Sequence, residues 1–204
     1  MSSVVPKFTD QRRAEIRAAL LEAGAELFTV HGLEETTIAD LTDEAGIATG
    51  TFYSFFDSKA ELLAAVLRRE AEHVYADLRV VLKEHEDDPE TALRRFVHVA
   101  SESLVTNPLF RRTIDGADRD QLLEELSDAQ VLDTQAAKRE LLVPYIERWQ
   151  RDGRIADGDV ETIASGILYI ASLPLHREAI GENRYRASRE LLIDWMVAGL
   201  CELE

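Results

Sequence analysis

The sequence predicts an all-α protein of about nine helices, in which a small N-terminal three-helix domain is joined by one long helix to a larger helical domain. Three observations carry this prediction. Apolar residues recur at three-to-four-residue spacing along most of the chain. Gly and Pro are few, 10 and 5 in 204 residues, and several, such as Gly32, Gly46, Pro89, Pro108 and Gly153, stand where helices would start or stop. No segment alternates apolar and polar residues as a half-buried strand does.

Residues 10–31 form the first predicted helix, with Ile16, Ala19, Leu20, Ala23, Leu27 and Phe28 as its apolar stripe, Thr9 as N-cap and Gly32 as its stop. A second, short helix spans about 37–44, opened by the Thr-x-x-acid pattern of Thr37 and Asp40 and stopped by Gly46. Residues 48–54 give a third. Ser58 and Glu61 have capping-box spacing and open a long fourth helix over 58–85, whose stripe runs from Leu62 to Leu82. Asp88-Pro89 and Asn107-Pro108 each set a capping side chain before a proline at the first helical position, which predicts helices over 89–105 and 108–114. Helices over 118–151, kinked or interrupted at Pro144, then over 158–179 and 184–202, complete the chain. The predicted domains are 1–57 and 58–204.

Composition narrows the function. Cys201 is the single cysteine, so neither an intrachain disulfide nor a cysteine zinc cluster is available. The apolar runs fall short of the roughly 20 residues of a membrane span, and the N-terminus lacks the basic-then-apolar order of a secretion signal. The expectation is a cytoplasmic protein with no membrane partner. No Gly-rich phosphate loop, Gly-x-Ser-x-Gly or His-Glu-x-x-His occurs, so no enzyme is indicated and no cofactor is expected. His73, His85 and His176 are scattered, and no metal site is expected. The net charge of -16 sets a condition on any nucleic-acid contact. Residues 1–60 themselves carry five basic against ten acidic side chains, so a DNA-binding face must be a local patch on an acidic body.

Residues 36–53 hold the parts of a helix-turn-helix: an amphipathic helix, a short turn at Gly46, and a second helix that is apolar inside at Ile47 and Phe52. Its outer face is Thr49, Gly50, Thr51, Tyr53 and Ser54. A helix that enters a major groove about 12 Å wide must be slim, and Gly50 lets its backbone approach the bases.

This stretch, continued to Leu63, resembles the signature of the TetR family of bacterial and archaeal repressors. The resemblance rests on the Thr36-Thr37 start, the Ala45-Gly46-Ile47 turn, and Gly50-Thr51-Phe52-Tyr53 followed by Phe56 and Ser58-Lys59. It covers about residues 10–65 directly; the remaining helices agree with the family's sensor domain in number, length and order. The resemblance implies that Thr37 meets a phosphate with its hydroxyl and helix N-terminus, that Thr49, Gly50 and Tyr53 face bases, that Thr51 and Ser54 touch phosphate or groove wall, and that Lys59 clamps another phosphate. Two positions depart from the pattern. Ala48 stands where a capping serine is common, which passes the cap to Thr49, and Phe55 stands where His or Tyr is common, which leaves packing alone. Lys7, Arg12, Arg13 and Arg17 give residues 1–17 a net charge of +2, and Arg12 and Arg13 are candidates for the missing backbone grip.

For the larger domain the resemblance implies a small-molecule effector in a cavity among the middle helices, which changes the spacing of two DNA-reading heads through the helix over 58–85. Phe96, His98, Val99, Leu104, Phe110, Tyr145, Trp149 and Tyr169 are its candidate lining, apolar or aromatic with a few polar tips. Each also reads as plain core, and His98 as an ordinary satisfied histidine. By the same resemblance the last two helices pair with their copies in a two-fold four-helix bundle, with Ile163, Gly166, Ile167, Ile170, Leu192, Trp195 and Met196 at the interface. The expected protein is a homodimeric, ligand-responsive repressor on a palindromic double-stranded DNA operator. The alternative is a helical protein-interaction module with a vestigial DNA-binding head.

Overall fold

A computed structural model describes residues 9–114 and 128–201, and every described element is helical. The N-terminal part contains α1 (Asp10–Val30), α2 (Gly32–Glu35), α3 (Ile38–Glu44) and α4 (Thr49–Phe52). The long α5 (Lys59–Glu84) leads into α6 (Pro89–Thr106), α7 (Pro108–Ile114), α8 (Asp128–Arg151), α9 (Val160–Ala171), a 3-10 turn (Leu173–His176), α10 (Arg177–Ile180) and α11 (Glu182–Cys201).

The capping signals act as expected. Thr9, Ser58 and Asp88 accept backbone N–H bonds from Arg12, Glu61 and Thr91, and the Asn107 side chain takes the N–H groups of Leu109 and Phe110 at 2.9 and 3.2 Å. Glu61 departs from the capping box by reaching past Ser58 to the Asp57 N–H. Two element predictions need correction, while at Pro144, where a kink or an interruption is expected, α8 runs on uninterrupted. The chain after α1 makes a further helical turn, α2, before the second predicted helix. The helix predicted over 158–179 stops at Ala171, because Pro174 in the next turn removes a donor and the chain tightens into a 3-10 turn before α10. The predicted start of the 118–151 helix lies outside the described residues.

Two apolar clusters organise these helices. One gathers Ile16, Leu20, Phe28, Leu33, Leu41, Phe52 and Phe56 with the first turns of α5 from Ala60 to Val66. The other gathers Tyr75, Leu78 and Leu82 of the same helix with Phe96, Leu142, Trp149, Ile167 and Ile193. Thus α5 serves both cores, its first half in one and its second half in the other. A Cβ on Gly24 would lie 3.1 Å from Val66 Cγ2 and 3.3 Å from Leu62, so the missing side chain lets α1 approach α5 closely. Leu109 of α7 joins the N-terminal cluster and so ties the later helices to the first ones. Among the described residues no helix is long and apolar enough to cross a membrane.

Candidate nucleic-acid interface

The short helix α4 is held by what it buries. Phe52 is fully buried, its ring centroid 6.0 Å from that of Phe56, and Ile47 packs at the edge of the same cluster. Before it, Gly46 takes φ +65°, a left-handed turn that L side chains rarely adopt, and the Ile47 N–H returns to the Thr42 carbonyl at 2.9 Å. With the inner side occupied, Thr49, Gly50, Tyr53 and Ser54 lie exposed and Thr51 half-buried. Tyr53 keeps 59% of its surface accessible, and a Cβ at Gly50 would meet nothing within 4 Å. The five outer-face residues therefore form one surface, slim at Gly50 and hydroxyl-bearing around it.

Ala48 is the N-cap of α4 and offers no side-chain bond. The cap does not pass to Thr49, whose hydroxyl instead lies 3.3 Å from that of the buried Thr42 and so fixes α4 against α3. At the start of α3 a full capping box forms: the Thr37 hydroxyl accepts from the Asp40 N–H and donates to Asp40 Oδ2 at 2.6 Å. These bonds from Thr37 hold the Asp40 carboxyl below its ordinary range. The Thr37 hydroxyl proton is thus committed inside the turn, and the carboxylate stands at the helix end that was expected to meet a phosphate. What α3 retains for an anion is its first backbone N–H groups.

Lys59 departs most from expectation. Its ammonium donates to the carbonyls of Leu33 at 2.7 Å, Glu34 at 3.3 Å and Thr36 at 2.7 Å, so its three donors point into the fold and not toward a phosphate.

The arginines divide. Arg12 pairs with Glu15 at 3.2 Å on the exposed face of α1, a pairing of small energetic weight. Arg13 lies beside α4: its Nη2 donates to the Ser54 carbonyl at 3.3 Å and its guanidinium sits 4.9 Å from the Phe55 ring centroid. Arg17 stacks likewise on Phe56 at 5.4 Å. Phe55 therefore packs, as its lack of a polar tip implied, and also seats a cation next to the outer face. Sequence reasoning placed Arg13 near the site but missed this seat, for which the only signal is the pair of phenylalanines at 55 and 56.

In the larger domain the eight cavity candidates do not converge. Phe96 and Trp149 are fully buried core, with Trp149 Nε1 donating to the Glu86 carbonyl at 2.6 Å and the Tyr145 ring 5.8 Å away. Val99, Leu104 and Phe110 are half-buried. His98 is half-buried too, and its Nε2 lies 3.4 Å from Glu190 on α11. Tyr169 is 65% exposed on the outside of α9, so it lines no interior space. A surface cleft of about 550 Å³ is lined by Arg139, Glu140, Val143, Pro144 and Glu161, none of them a candidate. The interface candidates fare differently. Trp195 is 63% exposed, Gly166 is open, and Ile163, Ile170, Leu192 and Met196 are half-buried. Ile167 points into the monomer core and is corrected to a packing residue.

With this geometry in view, the likeness to known proteins is informative. Residues 20–66, from the middle of α1 into α5, match the profile of the bacterial regulatory proteins of the tetR family. The chain is 33% identical over 106 residues to the HTH-type transcriptional regulator TtgR of Pseudomonas putida, covering 51% of this chain and 50% of that one. It is 36% identical over 66 residues to the HTH-type transcriptional repressor KstR2 of Rhodococcus jostii, covering 32% of each. The chain thus spans about half the length, or less, of these curated relatives. A crystal structure of a TetR-family transcriptional regulator from Pectobacterium atrosepticum is similar over 94% of this chain and 93% of its own, with a TM-score of 0.70 at 26% identity. The profile thus falls on the helix-turn-helix, and the structural likeness to a TetR-family regulator extends through the helices behind it.

Proposed function

We propose that this protein is a DNA-binding transcription regulator, most simply a repressor, that reads a palindromic operator as a homodimer in the cytoplasm and leaves it when a small molecule binds the larger domain. The observation that carries the reading is the outer face of α4: Thr49, Gly50 and Tyr53 stand free on a helix whose other side is anchored by buried Phe52. Backbone grip then comes from the α3 N-terminus, Thr51, Ser54 and the seated Arg13, with Arg12 at the margin. The exposed stripes on α9 and α11, with Gly166 and Tyr169 on one and Leu191 and Trp195 on the other, support pairing with a second copy. The effector is carried by the family resemblance, since the cavity candidates do not gather around one space.

Selection from random-sequence duplex DNA with the purified protein, followed by titration of the enriched duplex at several salt concentrations, tests the proposal. Enrichment of a two-fold symmetric site, bound far more tightly than bulk DNA, is the expected result. No enrichment at any salt would leave the second reading, a protein-interaction module with a vestigial head. That reading draws on the acidic Asp40 at the helix end and on the inward-turned Lys59.

A further inference from the structure

We infer that Lys59 is a positioning residue: an internal ammonium staple that fixes the DNA-reading head to the lever helix α5 and makes no phosphate contact. The inference rests on the DNA-binding reading above and concerns how that site is held.

Its position in sequence is the first clue. Ser58 is the N-cap of α5, so Lys59 is the first helical residue, where the helix dipole disfavours a cation. Something else must stabilise an ammonium there. The structure supplies it in the carbonyls of Leu33, Glu34 and Thr36, which lie at the C-terminal end of α2 and just beyond, where helical carbonyls lack backbone partners and the dipole is negative. Three acceptors match the three donors of an ammonium, a fit that a planar guanidinium does not share.

The second clue is what meets at this point. Thr36 is buried, and its hydroxyl donates to the Gly32 carbonyl at 2.6 Å while its own carbonyl takes Lys59. The next residue, Thr37, caps α3. One half-buried side chain therefore joins the first turn of α5 to the segment that sets where α3 begins, and α3 in turn holds α4 through the Thr42–Thr49 hydroxyl contact. When α5 moves, the staple carries the head with it as one piece.

A phosphate clamp and a staple make opposite predictions for a charge-conserving change. The protein would be prepared unmodified, as Lys59→Arg and as Lys59→Met, and titrated at several salt concentrations, well below its unfolding transition, with the duplex selected by the unmodified protein. As a staple, both variants lose affinity alike, about tenfold, and the salt slope of binding stays unchanged while each remains folded. As a clamp, Lys59→Arg keeps its affinity and Lys59→Met lowers the slope by about one; this result, or no loss in either variant, overturns the inference. A second measurement needs neither DNA nor a stable variant. The chain has four lysines, so ammonium nitrogen spectra of the DNA-free protein are simple to read. The staple predicts a slowly exchanging signal correlated through bonds to Lys59, and its absence also overturns the inference. If the unmodified protein selects no duplex, the DNA-binding reading fails, while this spectrum still decides the staple.

Discussion

Residues 49–54 keep small polar side chains outside because Phe52 takes the inside, whereas in the larger domain Phe96 and Trp149 are drawn wholly into the core. The head and the bundle thus treat functional candidates in opposite ways. In the head, a four-residue helix has one face for packing and one left over, so the residues available to a partner follow from the residues that are buried. The bundle offers many apolar and aromatic side chains, and among those that resemble a ligand lining the largest fully buried ones, Phe96 and Trp149, are needed to close the core. Packing pattern identifies a binding face where an element is short and one-sided. It loses that power where helices are long and surrounded.

The largest expected effects test this contrast at its centre. Trp149→Ala removes a fully buried indole and leaves the Glu86 carbonyl without its donor, so unfolding stability falls by about 3–5 kcal/mol. Phe52→Ala costs a similar amount and abolishes selective DNA binding, because α4 loses its anchor. Chemical denaturation measures the first loss and a duplex titration the second. If Trp149→Ala instead leaves stability intact, Trp149 is not core and the bundle has room for a ligand there.

Trp195→Arg follows in size. Its exposed indole lies on the same stripe of α11 as Leu191 and contributes nothing to the monomer core. The variant should remain folded but change from dimer to monomer by light scattering at micromolar concentration, with operator affinity falling together with the dimer. A dimer that survives this change moves the two-fold axis away from α9 and α11.

Smaller still are changes on the reading face itself. Gly50→Val places a side chain in open space, so stability should hold within about 0.5 kcal/mol. DNA binding should weaken by about 1–3 kcal/mol, and sequence preference should change at the bases that the helix approaches. Tyr53→Ala should give the same division. If either variant unfolds the head, the outer face is less free than its exposure implies.

How much of this was legible in the sequence divides along the same line. Helix starts were readable because Thr9, Thr37, Ser58, Asp88 and Asn107 act on their own next turn, and local chemistry is visible locally. The outer face of α4 was readable for the same reason. Lys59 was not, because its acceptors lie 23 to 26 residues away and are backbone carbonyls, which have no sequence identity. Arg13 was half readable: its charge was evident, but its seat on Phe55 joins residues 42 apart. Ile167 and Tyr169 exchanged expectations because a two-residue shift on a helix crosses from core to surface, and apolarity alone cannot say which side faces in.

The smallest effect is also the one that reads the two regions separately. Asp40 in the head, and Asp88 and Asp159 in the bundle, each hold a helix start, and the threonine three residues away along the helix end lowers each carboxyl below its ordinary value. A carboxyl that is more acidic in the folded chain binds fewer protons there than in the unfolded chain, so its stabilisation is complete above the unfolded value and lost as pH falls through the folded one. Both tryptophans, Trp149 and Trp195, lie in the bundle, so indole fluorescence follows its acid unfolding and not that of the head. Asp88→Ala should cost about 1 kcal/mol near neutral pH and, combined with Asp159→Ala, should flatten the fluorescence-detected loss of stability in acid. Asp40→Ala should leave that limb in place and alter DNA binding instead. An equal shift from Asp40→Ala would mean that α5 couples the two cores so tightly that head and bundle unfold as one, which would replace the contrast between them with a single cooperative unit.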